Sequence, residues 1–182
     1  MVYHLAVTQF YAPSNICGIK GIQHEHIHAS PSWHKSNPQF DTIFVETDLD
    51  IPGMLGIDVT RVCVFFSFKY DDIKYHCALV DWFCQVGDSP DEDMGMWVVK
   101  WDYDVHNHQL SEVIHIDSII KCLHLIGVYG AELVSTDIKF SDSLYVFNTY
   151  CVNKYADHHS FEIMIWQTFF HDLDFLAGLD FT

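Results

Sequence analysis

Residues 61–99 of this chain read RVCVFFSFKYDDIKYHCALVDWFCQVGDSPDEDMGMWVV, and this stretch decides the fold. Two runs rich in Val and aromatic residues, Arg61–Lys69 and Tyr75–Cys84, flank the short polar turn Asp71-Asp72. Such residues suit a pleated, half-buried surface. An acidic loop, Gly87–Gly95, then leads into a third apolar run. The stretch therefore predicts a central β-hairpin followed by another strand.

Alternation along the two runs predicts which side chains share a face. In the first run, period two groups Val62, Val64, Phe66 and Phe68 on one face. The second run is apolar on both of its faces, with Ala78, Val80 and Trp82 on one of them. A strand that is apolar on both sides is covered on both sides, as in a closed barrel. We therefore predict a mainly β fold, a small and partly closed β-barrel.

The flanking sequence supplies further elements. Strands are predicted at Tyr3–Tyr11, Gln23–Ser30, Phe40–Thr47, Leu110–Ile116 and, as the closing strand, His124–Tyr129. A short helical turn is predicted from Asp117 to Leu123. A C-terminal α-helix is predicted at about 142–155, because Leu144, Phe147, Cys151 and Tyr155 fall on one helical face. We expect residues 1–163 to form one β-rich domain, and residues 164–182 to be an apolar and acidic tail that either adds a short helix around 172–176 or is poorly ordered.

Composition narrows the classes of partner. The chain has 182 residues, 49% of them hydrophobic, which is enough to bury a core. It carries 25 acidic and 9 basic residues, for a formal charge of −16. Nucleic-acid affinity rests largely on Lys and Arg that neutralise phosphates, so we expect no strong direct binding to nucleic acid. An anionic membrane surface is disfavoured for the same reason.

The N-terminal sequence MVYHLAVTQF has neither a basic start nor a long apolar region, so we expect no secretory signal peptide. No apolar stretch is long enough to predict a transmembrane helix. The six cysteines are therefore interpreted as reduced thiols of an intracellular protein, most of them in apolar runs.

The strongest metal-like pattern is His24, His26 and His28, because alternate strand positions point three imidazoles the same way. A metal site would need a further ligand from elsewhere in the chain, and the sequence shows none. We expect a solvated strand face, no metal and no cofactor. A His-ligated, metal-dependent enzyme of β-barrel type that uses these residues is the alternative.

Other catalytic patterns are weak or missing. The chain has no CxxC pair of a zinc finger, no Gly-rich phosphate loop and no G-x-S-x-G motif. The carboxylates at 88–93 crowd one loop, which is typical of a solvated loop. Asp81 and Asp117 are better placed for structured roles, with hydrogen bonding as the simpler interpretation. We identify no catalytic residue and no small-molecule substrate, and we expect no enzymatic activity.

Several segments carry a family resemblance. They are FYAPS at 10–14 with Gly18 and Gly21, YHCALVDWF at 75–83, residues 87–99 with PDE and GMWVV, VIHIDSIIKCLHLIGVYG at 113–130, and residues 140–163. Together they resemble a region near the C-terminus of fungal transposase-like proteins of the Plavaka and KDZ types. The match covers about residues 10–163. His76 and Asp81 depart from the family pattern.

The resemblance implies an accessory β-rich segment outside the RNase H-like catalytic core, so no catalytic residue is carried over. The strand pattern is also loosely similar to bromo-adjacent-homology domains, small chromatin-associated barrels that bind proteins. The expected function is a non-catalytic, transposase-derived interaction domain with protein or chromatin partners, nuclear if it acts with a transposase. A truncated, inactive transposon remnant is a further alternative.

Overall fold

The computed structural model describes residues 1–12, 21–33, 37–48, 50–51, 53–130, 137–139 and 143–165. Its strands are β1 (Val2–Tyr3), β2 (Leu5–Tyr11), β3 (Ile22–Trp33), β4 (Asn37–Phe40), β5 (Thr42–Glu46), β6 (Ile57–Tyr70), β7 (Ile73–Gln85), β8 (Val98–Trp101), β9 (Ser111–His115), β10 (Ile119–Leu123), β11 (Leu125–Gly127) and β12 (Tyr150–Val152). Its α-helices are α1 (Ser143–Val146) and α2 (His158–Ile165). The predicted tail lies outside the described residues from 166 onward. The predicted fold class, mainly β with a C-terminal helix, is confirmed.

Seven strands form a nearly closed, barrel-like sheet in the order β10-β5-β6-β7-β8-β12-β11. The first and last strands of this order, β10 and β11, are consecutive in the chain and separated by His124 alone. This short connection brings the two edges of the sheet together, as a barrel requires. Strands β1 and β9 extend the sheet by pairing with β6 and β7. A second sheet, β2-β3-β4, packs against β6 and β10.

The hairpin β6–β7 is the centre of the sheet, as the sequence predicts. Its turn residues Asp71 and Asp72 have φ angles of 49° and 60°. Positive φ at both central positions is the geometry of a type I′ turn, whose twist matches that of the flanking strands. Pairing continues from Tyr70↔Ile73 at the turn to Val59↔Phe83 at the far end. A tight turn and a long register therefore fix β6 and β7 against each other.

A β-bulge changes the predicted phase of β6. Val62 pairs with Val80, but Val64 pairs with Leu79, so the register slips by one residue between them. A slip of one residue moves every later side chain to the other face. Phe65 is consequently buried, whereas Phe66 is half-buried. The prediction that Val62 and Phe66 lie on one face is wrong for this reason.

Two hydrophobic cores lie on opposite sides of β5, β6 and β7. The first core lies inside the barrel and is formed by Phe44, Met54, Val59, Phe83, Trp97, Val99, Trp101, Leu123, Tyr150, Val152 and Met164. The second lies between the barrel wall and the sheet β2-β3-β4, and is formed by Ile27, Ala29, Ile43, Val45, Val62, Phe65, Ala78, Val80 and Ile119. The predicted coverage of β7 on both faces is thus observed.

Two helix predictions fail in detail. The segment predicted as a helix over 142–155 contains the short helix α1 and then the strand β12, whose three residues are buried. Strand β12 fills the position between β8 and β11, where both neighbours satisfy its backbone groups. The helical turn predicted over 117–123 is a 3-10 turn at Ile116–Ser118, followed by β10.

Candidate functional site

The row of three histidines lies on β3, at alternate positions as predicted. His24, His26 and His28 pair with Gln9, Val7 and Leu5 of β2. His24 and His26 are exposed, whereas His28 is half-buried. The row is therefore a real strand face, and its members differ in environment.

His28 belongs to a hydrogen-bonded network with β4 and the residue that follows it. Its Nδ1 lies 2.9 Å from Oδ2 of Asp41, and its backbone N–H donates to the same oxygen at 2.7 Å. The side-chain amide of Gln39 donates to Asp41 Oδ1 at 3.1 Å. Its nitrogen is also 3.1 Å from His28 Nδ1. This network orients the imidazole and ties β3 to the start of β5.

His26 and His28 also line a cavity of about 430 Å³ between β3, β10 and α1. His124 and Glu25, which the sequence did not single out, line the same cavity. Glu25 accepts a hydrogen bond of 2.7 Å from the backbone N–H of Cys122. Burial raises the pKa of Glu25, and this hydrogen bond and the nearby Lys121 oppose that rise. In this cavity the carboxylates of Glu25 and Asp41 and the imidazole of His28 are therefore engaged with the protein itself.

Within the described residues, no three His, Cys, Asp or Glu side chains converge in a way that could hold a metal ion.

The five described cysteines are free thiols. Burial raises the pKa of Cys63 to about 12, with a further contribution from its hydrogen bond to Asp81. Burial also raises the pKa of Cys122. A raised pKa disfavours the thiolate, which is the nucleophilic form of cysteine.

The acidic residues that the sequence singled out belong to local hydrogen-bond networks. Asp81 accepts from the hydroxyl of Ser111 at 2.6 Å and from the thiol of Cys63 at 3.0 Å. Asp117 belongs to the 3-10 turn, where its N–H donates to His115 Nδ1 at 3.3 Å. In the acidic loop, Asp91 accepts from the amides of the residues two and three positions on. These contacts match the simpler, structural interpretation of the three sites.

A buried lysine is a feature that the sequence reasoning missed. Lys121 is 1% exposed and donates to Asp157 at 2.6 Å and to Ser160 at 3.0 Å. Its ammonium also lies 5.2 Å from the ring centroid of Phe10. Asp157 caps α2, since it accepts from the N–H of Ser160 at 2.9 Å. The only signal in the sequence was a lysine in the apolar run IIKCL.

The end of the central hairpin projects beyond its neighbours and carries an aromatic face. Strands β1 and β9 pair with β6 and β7 only up to Phe66 and Cys77. Beyond this point, alternation places five large side chains on one side; we call them the hairpin face, namely Phe66, Phe68, Tyr70, Ile73 and Tyr75. Three of these side chains stack in series, with ring centroids 6.3 Å apart for Phe66–Phe68 and 5.4 Å apart for Phe68–Tyr75.

The hairpin face is solvent-accessible despite its apolar character. Tyr70 is 70% exposed, Ile73 56% and Phe68 48%. Lys69 and Lys74 pair with each other on the opposite side of the same hairpin. This face could have been identified from the sequence. Counting every second residue away from the turn along both strands gives the same five positions.

Comparison with protein-family models, with curated proteins and with solved structures gives no match for this chain. No helix in the part of the chain that the structure describes is long and apolar enough to cross a bilayer.

Proposed function

We propose that this chain is a non-catalytic protein-interaction domain of a transposase-derived protein, and that the hairpin face contacts the partner. The observation that carries the proposal is the row of large apolar side chains on one face of the projecting hairpin, of which Phe68, Tyr70 and Ile73 are exposed. Contiguous exposed apolar surface is typical of sites that bind other proteins. Aromatic side chains are also enriched among the residues that contribute most to binding energy.

The hairpin geometry and the charge composition both support this role. The type I′ turn and the long β6–β7 register hold the hairpin in one conformation, which lowers the entropy cost of binding. The excess of acidic over basic residues favours a protein partner over nucleic acid. The transposase origin rests on the sequence resemblance described above, and the domain acts in the nucleus if it acts with a transposase.

Site-specific photocrosslinking tests the proposal. Tyr70→p-benzoylphenylalanine places the probe on the hairpin face, and Tyr155→p-benzoylphenylalanine is the matched control at 65% exposure elsewhere on the surface. In nuclear extract of the source cells we expect discrete protein adducts from position 70 and none of these adducts from position 155. Nuclease treatment should leave the adducts unchanged, because the partner is a protein.

A second variant separates binding from folding. Phe68→Ser with Ile73→Ser removes apolar surface from exposed positions and the ring contacts of Phe68, so the thermal melt should fall only modestly and stay cooperative. The adducts from position 70 should be lost in this background. The proposal is wrong if the same adducts form from both probe positions, or if they survive the double substitution.

A further inference from the structure

Strand β2 has a partner strand along one side only. It is the first strand in the order β2-β3-β4, and within the described ranges it pairs with β3 alone. The N–H of Ala29 donates to the carbonyl of His4 at 3.0 Å. At the other end of the pair, the N–H of Ala12 donates to the carbonyl of Gly21 at 2.7 Å. Because bonded and unbonded pairs alternate in an antiparallel ladder, the even-numbered residues of β2 bond to β3.

The backbone groups of the odd-numbered residues of β2 therefore point away from β3. They belong to Leu5, Val7 and Gln9, and we call this row of N–H and C=O groups the β2 edge. No hydrogen bond from the described part of the chain reaches these groups. Leu5 is 44% exposed and Val7 54%, so the edge is accessible. An unpaired edge of this kind presents donors and acceptors with which another strand can pair.

A cavity of about 280 Å³ runs along the β2 edge. Its lining includes Val7 and Gln9, which are exposed, and Ala6 and Thr8, which are half-buried. Alternate residues of a strand face opposite sides of the sheet, so the cavity touches both sides of β2. It therefore lies at a margin of the strand, and the other margin is occupied by β3.

The opposite wall of the cavity suits an apolar side chain with a basic neighbour. Ile27 of β3, Ile116 of the 3-10 turn and Ile119 of β10 make this wall apolar. A cavity of about 150 Å³ already holds benzene, so this one has room for an apolar side chain. Asp117 carries the single charge among the described lining residues. Its carboxylate lies 3.3 Å from His115 Nδ1 and its side chain is 85% exposed, which leaves it accessible to a cation.

We propose that the β2 edge binds an extended peptide segment of a partner protein as an added strand. The backbone of the segment pairs with Leu5, Val7 and Gln9, because an extended chain matches the alternating donors and acceptors of a strand edge. Every second side chain of the segment points toward the cavity, and an apolar one fills it. A Lys or Arg beside it pairs with Asp117, and the charge of −16 attracts a basic segment.

Fluorescence anisotropy with a labelled, end-capped heptapeptide, KTVTVTK, tests the proposal. The peptide carries Val at alternate positions for the cavity and Lys at both ends for Asp117. Two N-methylated forms, one at the three Thr and one at the two Val, each remove one alternating set of N–H groups. Only one set can face β2, so one form should bind at least about tenfold more weakly and the other as the unmodified peptide does. These peptides leave the protein unchanged, so the comparison carries no risk of misfolding.

A matched pair of variants locates the binding site on the protein. Val7→Pro removes an N–H of the β2 edge and spares the ladder to β3, a position at which strands tolerate Pro. Val113→Pro is the control, since Val113 is 51% exposed on β9. Its N–H also points away from the partner strand, because the bonded pair Trp82–Leu110 sets the alternation there. We expect at least about tenfold weaker binding for Val7→Pro and less than about twofold for Val113→Pro.

Phe68→Ser with Ile73→Ser alters the hairpin face only, so this variant should bind the peptide as the parent does. It distinguishes failure of the β2 edge from failure of the proposed function. Sedimentation of the parent and of Val7→Pro examines the other occupant, a second copy of this chain. A parent dimer that Val7→Pro converts to a monomer would overturn the proposal. So would no binding by the parent, equal binding of the two N-methylated peptides, or equal losses in the two proline variants.

Discussion

The ammonium nitrogen of Lys121 lies 2.6 Å from Oδ2 of Asp157, although the two residues are 36 positions apart. Lys121 is on β10, and Asp157 immediately precedes α2. The lysine side chain is 2% exposed and the aspartate side chain 36% exposed. The ion pair therefore links the C-terminal helix α2 to strand β10 of the barrel, and Lys121 is the buried partner of the pair.

Because Lys121 is more deeply buried than Asp157, replacing Asp157 should cost more stability than replacing Lys121. Asp157→Asn keeps a capping side chain but leaves the buried ammonium of Lys121 without its counter-charge, so the free energy of unfolding should fall by about 3–5 kcal/mol. Lys121→Met leaves only a partly solvated carboxylate unpaired, so we expect a smaller loss of about 1–2 kcal/mol. Denaturant unfolding at neutral pH measures both.

The double variant provides the control for this pair. Lys121→Met with Asp157→Asn should be close in stability to Lys121→Met alone, because no buried charge is left unpaired. If the two single substitutions cost the same, the difference in burial does not control the energetics of the pair.

The pH dependence of stability should contain a contribution from His159. Its ring stacks on Phe10 with centroids 4.7 Å apart. Burial and then the Lys121 ammonium lower the pKa of His159, against the opposing effect of Asp157 and Glu162. The unfolded state therefore binds a proton first, and stability is lost as the pH falls from about 6.5 through the lower pKa of the folded state.

The variant His159→Phe isolates this contribution because it keeps a stacking ring and removes the titration. The loss of stability between about pH 7.5 and pH 5 should be smaller in the variant than in the parent. Parallel denaturation curves at both pH values give the difference. Identical pH profiles would show that His159 has the same pKa in both states.

A second contribution should appear in acid. Burial raises the pKa of Asp157, but its hydrogen bonds from Lys121 and Ser160 outweigh this and lower it overall. Stability from this carboxylate is complete above the unfolded pKa of about 3.9 and is lost as the pH falls through the lower folded pKa. The parent should therefore lose more stability than Asp157→Asn between about pH 5 and pH 2. Urea unfolding of both proteins across that pH range measures this difference in the loss of stability.

The bulge in β6 predicts different costs for two adjacent phenylalanines. Phe65→Ala removes a buried ring from the second core and should destabilise by about 3–5 kcal/mol. Phe66→Ala truncates a half-buried ring and should cost about 1–2 kcal/mol. Val80→Asp, at a position that is 0% exposed, should prevent stable folding because it buries a charge. Thermal melts that rank Phe66→Ala as the more damaging phenylalanine substitution would contradict the bulge.

The hairpin turn predicts a stabilising change. Asp71 and Asp72 both adopt positive φ, which costs less for Asn and Gly. Asp71→Asn with Asp72→Gly should raise the free energy of unfolding by about 0.5–1 kcal/mol. The change also removes the exposed ion pair Lys69–Asp72, which contributes little. Denaturant unfolding that shows a lower stability would mean that the turn is not type I′.

The sequence by itself determined the parts of the fold that rest on local patterns. Alternating Val and aromatic residues with a two-residue polar turn predicted the hairpin of β6 and β7, and the segment after His124 was predicted as the closing strand. Both predictions depend on neighbours within about ten residues, where the period of side chains along a strand is fixed by backbone geometry. The row of histidines on one face of β3 was predictable for the same reason.

Only the tertiary structure decided the phase of β6 beyond Val62, the strand at Tyr150–Val152 and the burial of Lys121. Each of these depends on residues distant in the chain. The bulge depends on pairing with β7, and the strand at Tyr150–Val152 depends on the open position between β8 and β11. The burial of Lys121 depends on its contact with Asp157. Of the candidate surfaces, the hairpin face follows from local alternation along two strands, and only its projection beyond β1 and β9 depends on tertiary pairing.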